Sequence, residues 1–197
     1  LKQELEGINA LSLEEIQPKK KAIGTAKSFG KLLQDYTLIE EALCYYVSEC
    51  AEKLRKQGSA ANVLMLFIHT SQFRENDSQY YKNTVIHLPL ATNDTAVLIQ
   101  YACMGLKSIF RKGYNYKKVG VLLSGLVPKE EVQGNLFVAP SEKSEQVHLV
   151  MDRLNSKYGK ATLQHAACGF NRKDWKIKQQ QLSPNYTTRF SDILKIG

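Results

Sequence analysis

The sequence predicts an α+β domain in which two helices cover one face of a four-stranded sheet, followed by a small C-terminal α/β annex. Two observations lead to this prediction. Four β-type segments and two amphipathic helices alternate over residues 19–127 in the order β-α-β-β-α-β, which is the split ferredoxin-like arrangement. The chain has 197 residues, 43% of them hydrophobic, which is enough for one core and a smaller addition.

The first strand is predicted at Lys19–Phe29, where three lysines precede an alternating segment. Its two rows of side chains are Ile23, Thr25, Lys27 and Phe29 on one side and Gly24, Ala26 and Ser28 on the other. The second row is small enough for a backbone or a phosphate to approach closely. From Gln17 to Lys31 there are five lysines and no acid, so this strand is a candidate phosphate-binding surface. A charged edge that deters aggregation is the alternative.

An amphipathic helix follows the first strand. Thr37 and Glu40 have the spacing of a capping box at its start, and Gly58 lies just past its end. Apolar residues recur at helical spacing between them, namely Ile39, Ala42, Leu43, Tyr46, Val47, Cys50 and Leu54.

Two further strands are predicted after this helix. The segment Asn62–Thr70 is almost continuously apolar and short, which favours a central strand. A polar loop at Ser71–Lys82 precedes a third strand at Thr84–Leu88, and Pro89 either ends that strand or marks it as an edge.

The second helix is predicted to start at a cap formed by Asn93 or Asp94 and to end at Lys112-Gly113. The fourth strand follows at Lys117–Ser124. No acid interrupts the run from Lys107 to Lys118, and the topology could bring this run to the same side of the sheet as the lysines of the first strand. With both helices on one face, the other face of the sheet stays open.

The sheet domain, expected at residues 19–127, is flanked by further segments. We expect residues 1–18 to be a tether, residues 128–143 a linker and residues 144–197 the annex. The linker contains an amphipathic pentapeptide, Gln133–Phe137. In the annex, Ser144 is a candidate cap for a third helix that ends at Gly159.

Composition limits the function classes. A net charge of +8 and a pI near 9.2 suit a polyanionic partner such as nucleic acid. The four cysteines form no CxxC pair, which is typical of reduced core cysteines in a cytoplasmic protein, and no apolar run is long enough for a membrane helix.

Adjacent glutamates cannot readily form a two-carboxylate site. His69 and His87 lie in predicted strands, where structural roles are commoner than catalytic ones. We therefore predict neither a catalytic residue nor a metal site.

Several motifs together resemble one known family. They are Lys27-Ser-Phe-Gly30, Phe67-Ile-His-Thr-Ser-Gln-Phe73, the fourth strand, Gln133–Phe137 and Leu182-Ser-Pro-Asn-Tyr-Thr-Thr-Arg189. In this order they are similar to the C-terminal half of UmuC-type Y-family translesion DNA polymerases, which act in SOS DNA repair. The chain departs from the family pattern at His69, where a basic residue is common, and at Gly134, where a leucine is preferred.

The resemblance implies that residues 19–127 are the little finger, which binds primer–template duplex DNA, and that residues 1–18 are the end of the thumb and the tether. The metal-binding carboxylates of the family, and their Mg²⁺, belong to the palm, so this chain should bind DNA rather than polymerise it and should need no cofactor of its own. The expected DNA contacts are Lys20, Lys21, Lys27, Ser28, Lys31, Lys112, Lys117 and Lys118.

The resemblance also implies protein partners. Gln133, Leu136 and Phe137 would bind the bacterial sliding clamp, with the two apolar side chains as adjacent anchors in a groove. The alternative is that Leu136 and Phe137 fold back onto the annex as ordinary core. Through the parent protein, a UmuD-like subunit and a RecA filament are further expected partners.

Two other function classes stay open. An RRM-like RNA-binding module has the same order of strands and helices, but it needs exposed aromatic residues on its central strands. Thr84–Leu88 has none, and no RNP1-like run occurs. A protein-interaction module that touches no nucleic acid is the other alternative.

Overall fold

The computed structural model describes residues 2–8, 19–132, 142–170, 174–177 and 183–185, together with residues 189, 191 and 193. Its helices are α1 (Lys2–Leu5), α2 (Tyr36–Gln57), α3 (Thr95–Ile109) and α4 (Glu142–Tyr158). Its strands are β1 (Ile23–Leu33), β2 (Ser59–Thr70), β3 (Tyr81–Thr92) and β4 (Tyr116–Pro128). Two short 3-10 helices lie at Lys129–Glu131 and Ala166–Cys168. The predicted β-α-β-β-α-β order is confirmed.

The four strands form one antiparallel sheet in the order β1-β4-β2-β3. The first strand therefore lies at an edge, and the fourth and second strands are central. Since β1 and β2 both pair antiparallel with β4, they run parallel to each other with β4 between them. Such a parallel pair needs a long crossover, which α2 provides.

The core lies between the sheet and the two helices α2 and α3. Alternate residues of the strands are buried on this side, among them Phe29, Leu64, Leu66, Ile68, Val119 and Leu123. All seven apolar residues predicted on the first helix are buried as well. The two helices therefore cover one face of the sheet, as predicted. The four cysteines are free, and three of them are buried.

The start of α2 differs from the prediction. Asp35 is the cap, and its carboxylate accepts a hydrogen bond from the backbone N–H of Thr37 at 2.8 Å. An aspartate two residues before Thr37 satisfies one of the free amides, so the helix starts before the Thr37–Glu40 pair. The end at Gly58 is confirmed, with φ of 67° in the left-handed region. Asp94 caps α3, one of the two residues predicted.

The strands also differ in length from the predictions. β1 starts at Ile23, after the lysine run, and continues to Leu33. β3 spans Tyr81–Thr92 and includes Pro89, which an edge strand tolerates because one side of its backbone needs no ladder partner. β4 begins one residue before Lys117 and continues to Pro128.

The annex packs on the outer side of α2. Helix α4 starts at Glu142, so Ser144 does not cap it, and the Ser144 hydroxyl instead donates to Asp94. The Trp175 indole is 2% exposed and packs against Tyr45 and Tyr46, each with ring centroids 5.5 Å away. The backbone N–H of Gly30 donates to the carbonyl of Trp175 at 3.0 Å. The annex is thus joined both to α2 and to the outer edge of β1.

Candidate nucleic-acid interface

The face of the sheet opposite the helices is called the open face here. Strand register and side-chain alternation place on it residues from all four strands. They are Gly24, Ala26 and Ser28 of β1, Lys118, Gly120, Leu122 and Ser124 of β4, Val63, Met65, Phe67 and His69 of β2, and Tyr81, Asn83, Val85 and His87 of β3. None of these side chains is acidic.

One end of the open face is polar. Ser28 pairs with Lys118, Lys118 with His69, and His69 with Tyr81, so these four residues form a row across the whole sheet. The row contains two of the predicted DNA contacts, Ser28 and Lys118. A hydroxyl and an ammonium group on adjacent strands can bind the same phosphate.

Three more of the predicted lysines lie at this end of the sheet, where β1 finishes and β4 begins. Lys117 is half-buried, and its Nζ donates to the carbonyl of Phe29 at 3.0 Å. Lys31 is exposed, with Nζ 3.7 Å from Asp174. Lys112 is exposed in the turn between α3 and β4. We call Lys31, Lys112, Lys117 and Lys118 the basic end.

Lys27 lies on the other side of the sheet. It is in the same row of β1 as Ile23, Thr25 and Phe29, which faces α2. Its Nζ forms an ion pair with Glu49 at 3.0 Å and lies 5.5 Å from the ring centroid of Tyr46. The positive charge is thus already partnered within the chain.

Lys20 and Lys21 are exposed just before β1 begins, at the opposite end of that strand from Lys31. The side chain of Gln57, at the end of α2, bonds to both the N–H and the carbonyl of Lys20. At about 3.3 Å per residue, these lysines lie roughly 20 Å or more from the basic end. The structure therefore does not gather the predicted lysines into one surface.

Three aromatic side chains lie on the open face, namely Phe67, His69 and Tyr81, and none of them was predicted there. The expectation that the face lacks exposed aromatic residues rested on Thr84–Leu88 alone. The signal was present in β2, where Leu64, Leu66 and Ile68 are fully buried while the residues between them are half-buried. A nearly continuous apolar run conceals this alternation.

Comparison with known proteins assigns the sheet domain to a family. Residues 20–136, more than half of the chain, match the impB/mucB/samB family C-terminal domain. The chain belongs to this family. Residues 145–196 match a second domain, described as a domain of unknown function (DUF4113).

Several relatives extend this match over nearly the whole chain. It is 37% identical to Protein UmuC of Salmonella typhimurium over 98% of its own length, which is 46% of that protein. Protein ImpB of Salmonella typhimurium is 35% identical over 96% of the chain and 45% of its own length. UvrX of Bacillus subtilis, named as a UV-damage repair protein, is 32% identical over 71% of the chain and 34% of its own length. The chain thus spans less than half of the length of these relatives.

Among solved structures, the insertion ternary complex of Dbh DNA polymerase matches 58% of this chain and 31% of its own, with 15% identity and a TM-score of 0.44. DinB from Sulfolobus solfataricus matches 54% of this chain and 29% of its own, with 14% identity and a TM-score of 0.43.

The family domain and the annex meet at a polar contact around Arg55. Its guanidinium forms two hydrogen bonds to the Asp152 carboxylate, at 2.6 and 2.8 Å, and two more at 2.8 Å to the Asn93 carbonyl and the Thr95 hydroxyl. The Arg55 side chain is 10% exposed and that of Asp152 19%. A bidentate, largely buried pair of this kind fixes the relative orientation of the two side chains and also contributes to stability.

Two histidines of the annex lie beside this contact and line a cavity of about 340 Å³ between α2 and the annex. The rings of His148 and His165 are 5.5 Å apart, and His148 Nε2 is 3.9 Å from Asp94. Burial, followed by the charge of His148, lowers the pKa of His165 below its usual range. Burial acts to raise the pKa of Asp94, but hydrogen bonds from Ser144, Val97 and Ala96 and the charge of His148 lower it overall.

Within the described part of the chain, no cluster of histidine, cysteine and acidic residues could hold a metal ion. No described helix is both long and apolar enough to cross a membrane. The predicted clamp-binding residues Gln133, Leu136 and Phe137 lie outside the described residues.

Proposed function

We propose that this chain is the DNA-binding C-terminal part of a UmuC-like, error-prone translesion DNA polymerase that acts in SOS repair in the bacterial cytoplasm. In this role residues 19–127 bind the primer–template duplex through its phosphates, and Gln133, Leu136 and Phe137 dock on the sliding clamp. Nucleotidyl transfer, with its Mg²⁺, is the proposed activity of the parent protein. A UmuD-like subunit and a RecA filament are its proposed further partners.

The observation that supports DNA binding most directly is the basic end of the sheet. Ser28 and Lys118 are paired on the open face, and Lys31, Lys112 and Lys117 lie at the same end. No acidic side chain occurs on the open face, and the whole chain carries a net charge of +8. Family membership and the name of UvrX agree with a role in DNA repair.

The test is the salt dependence of binding to a blunt DNA duplex. If about four to six phosphates are neutralised, the logarithm of affinity should fall with the logarithm of salt concentration at a slope of roughly −4 to −5. The triple variant Lys31→Gln, Lys112→Gln and Lys118→Gln should flatten this slope by about 2 to 3. Lys117 is left intact because it holds the carbonyl of Phe29.

A matched control with the same loss of charge is Lys27→Gln, Lys53→Gln and Lys56→Gln, on the α2 side of the sheet. We expect its slope to stay near that of the wild type, which also tests the predicted DNA contact at Lys27. Equal flattening in both triple variants would contradict the proposed surface. Binding without salt dependence would contradict the mechanism, and tighter binding to single-stranded RNA would favour the RRM-like alternative.

A further inference from the structure

We infer that Cys44 and Cys103 form a modification site for hydrogen peroxide, in which Cys103 is oxidised first and then forms a disulfide with Cys44. The two cysteines lie on α2 and α3, which pack against each other behind the sheet. The inference goes beyond the proposed function, because neither cysteine belongs to the open face or to the basic end. Disulfides in cytoplasmic proteins are usually transient and serve catalysis or redox sensing.

The first argument is the distance between the two thiols. The Sγ atoms of Cys44 and Cys103 are 3.6 Å apart, within reach of a thiol–thiol hydrogen bond. An S–S bond is about 2.05 Å long, so the sulfur atoms must approach by roughly 1.5 Å, a shift of the size that side-chain rotation produces. Cys50, on the same helix as Cys44, instead donates to the Thr25 hydroxyl at 3.4 Å.

The second argument is the unequal burial of the pair. Cys44 is fully buried, whereas Cys103 is half-buried and is reached by solvent. A thiolate can attack a peroxide only where the peroxide can reach it, so Cys103 is the thiol that meets the oxidant. Redox-sensing cysteines are typically accessible and lie next to a second cysteine that resolves the oxidised form. Cys44, beneath Cys103, has the position of this resolving cysteine.

The third argument is the direction of the hydrogen bond between the thiols. Burial favours the neutral form of Cys44, so Cys44 donates and Cys103 accepts. This hydrogen bond lowers the pKa of Cys103 below its ordinary value, although burial and the charge of Glu40 act in the opposite direction. The same bond, followed by burial, raises the pKa of Cys44. The more accessible sulfur is therefore also the one with the greater thiolate character.

The reaction consists of two displacements at sulfur and oxygen. The Cys103 thiolate attacks one oxygen of hydrogen peroxide, the O–O bond breaks, and the departing hydroxide takes up a proton and leaves as water. The Cys44 sulfur then attacks the sulfur of the Cys103 sulfenic acid. The S–O bond breaks, and the oxygen leaves as a second water with the proton of Cys44. Two thiols are thus oxidised to one disulfide, and one peroxide is reduced to two waters.

The experiment treats the reduced whole chain with hydrogen peroxide, alkylates the remaining thiols and identifies linked peptides by mass spectrometry. We expect a Cys44–Cys103 disulfide within one chain, with a mass lower by two hydrogen atoms, and its reversal by dithiothreitol. Cys103→Ala should lose the disulfide. Cys44→Ala should stop at the sulfenic acid of Cys103, which dimedone traps. Cys50→Ala is the matched control, because it truncates an equally buried cysteine of α2 and should keep the disulfide.

A second variant leaves both cysteines in place, so this test does not depend on a substitution in the core. Glu40→Gln removes the negative charge that opposes the Cys103 thiolate and should raise the rate of oxidation about twofold or more. Glutamine still offers an acceptor to the Tyr36 hydroxyl, which donates to Glu40 at 2.9 Å. An unchanged rate in Glu40→Gln would overturn the assignment of Cys103 as the attacking thiol.

Three results of the peroxide treatment would overturn the site as a whole. They are retention of all four thiols, a disulfide that joins Cys44 to Cys168, and disulfides that join two chains. No DNA is present in this experiment, so its outcome is independent of the test of the proposed function.

Discussion

At the scale of single residues, Arg55 makes a polar contact that helps to join the two parts of the chain. The Arg55 side chain extends from α2 toward α4. Its guanidinium donates hydrogen bonds to the Asp152 carboxylate, to the Asn93 carbonyl and to the Thr95 hydroxyl. Removing one member of a buried pair leaves the other charged and unpaired, which costs more than the pair itself contributes. Replacing Arg55 should therefore lower the free energy of unfolding strongly, whereas replacing its neighbour Lys56, whose side chain is 63% exposed, should lower it little.

We expect Arg55→Met to lower the free energy of unfolding by about 3 kcal/mol or more, measured by urea denaturation. The matched control is Lys56→Met on the same helix, whose exposed pair with Glu52 should contribute less than about 1 kcal/mol. Adding Asp152→Leu to Arg55→Met should recover part of the loss, because the uncompensated carboxylate is then gone. Similar effects of Arg55→Met and Lys56→Met would show that the buried contact is not energetically special.

Lys27 shows what residue patterns alone could establish. The alternation of β1 already places it in one row with Ile23 and Phe29, and that row is the buried one. Its partner Glu49 lies more than twenty positions along the chain on α2, and no local pattern in the sequence links the two residues. The number of lysines in a strand therefore gives the charge of the strand. Which face of the sheet carries that charge depends on the alternation of side chains and on ion-pair partners such as Glu49.

At the scale of elements, the short segment 174–177 is joined to β1. The carbonyl of Trp175 accepts from Gly30, and the indole packs on two tyrosines of α2. A Cβ atom at Gly30 would lie 2.4 Å from the carbonyl oxygen of Lys176, a backbone atom that can yield only if the segment moves. Glycine at position 30 is thus required by the close approach of this segment.

Gly30→Ala should displace the segment 174–177 from β1. Trp175 is the single tryptophan of the chain, so its fluorescence reports this change directly. We expect emission at longer wavelength and stronger quenching by acrylamide, since the buried indole would become hydrated. Gly24→Ala is the control on the same strand, because its closest contact is the flexible end of Leu122. Unchanged emission in Gly30→Ala would show that the indole is held without the strand contact.

The elements themselves were largely predictable. The apolar residues of α2 repeat at helical spacing and form a single buried stripe, and Asp94 and Gly58 mark helix ends by their local chemistry. The docking of Trp175 was not predictable, because it depends on a contact between segments far apart in a stretch of low hydrophobic content. The aromatic residues of β2 were hidden for a different reason: a central strand with one buried and one half-buried face is apolar throughout.

At the scale of the whole molecule, the segment that contains Gln133, Leu136 and Phe137 lies in the chain between β4 and α4, where the match to the family domain ends at residue 136 and the second match begins at residue 145. A linker between two packed parts of a chain can extend into a groove on a partner without disturbing either part. This arrangement suits the proposed clamp contact, in which an amide and two adjacent apolar anchors bind. The alternative, that the anchors belong to the annex core, predicts a different response to mutation.

The double variant Leu136→Ala and Phe137→Ala should abolish measurable binding to purified sliding clamp, because each desolvated anchor contributes about 2 kcal/mol or more. Calorimetry measures this, and duplex DNA binding and the unfolding transition should stay as in the wild type. Val132→Ala, next to the motif, is a suitable control. Equal clamp affinity of wild type and double variant would refute the site, whereas an unfolded double variant would support the core alternative.

The bond between Gly30 and Trp175 also has a consequence for the order in which the protein is made. β1 lies at the edge of the sheet and is synthesised well before residues 174–177, the segment that covers its outer side. Until then the unpaired backbone near Gly30 is a template on which a strand of another nascent chain can add. A product truncated before Asp174 would keep this edge permanently, so residues 174–177 also protect the sheet against self-association.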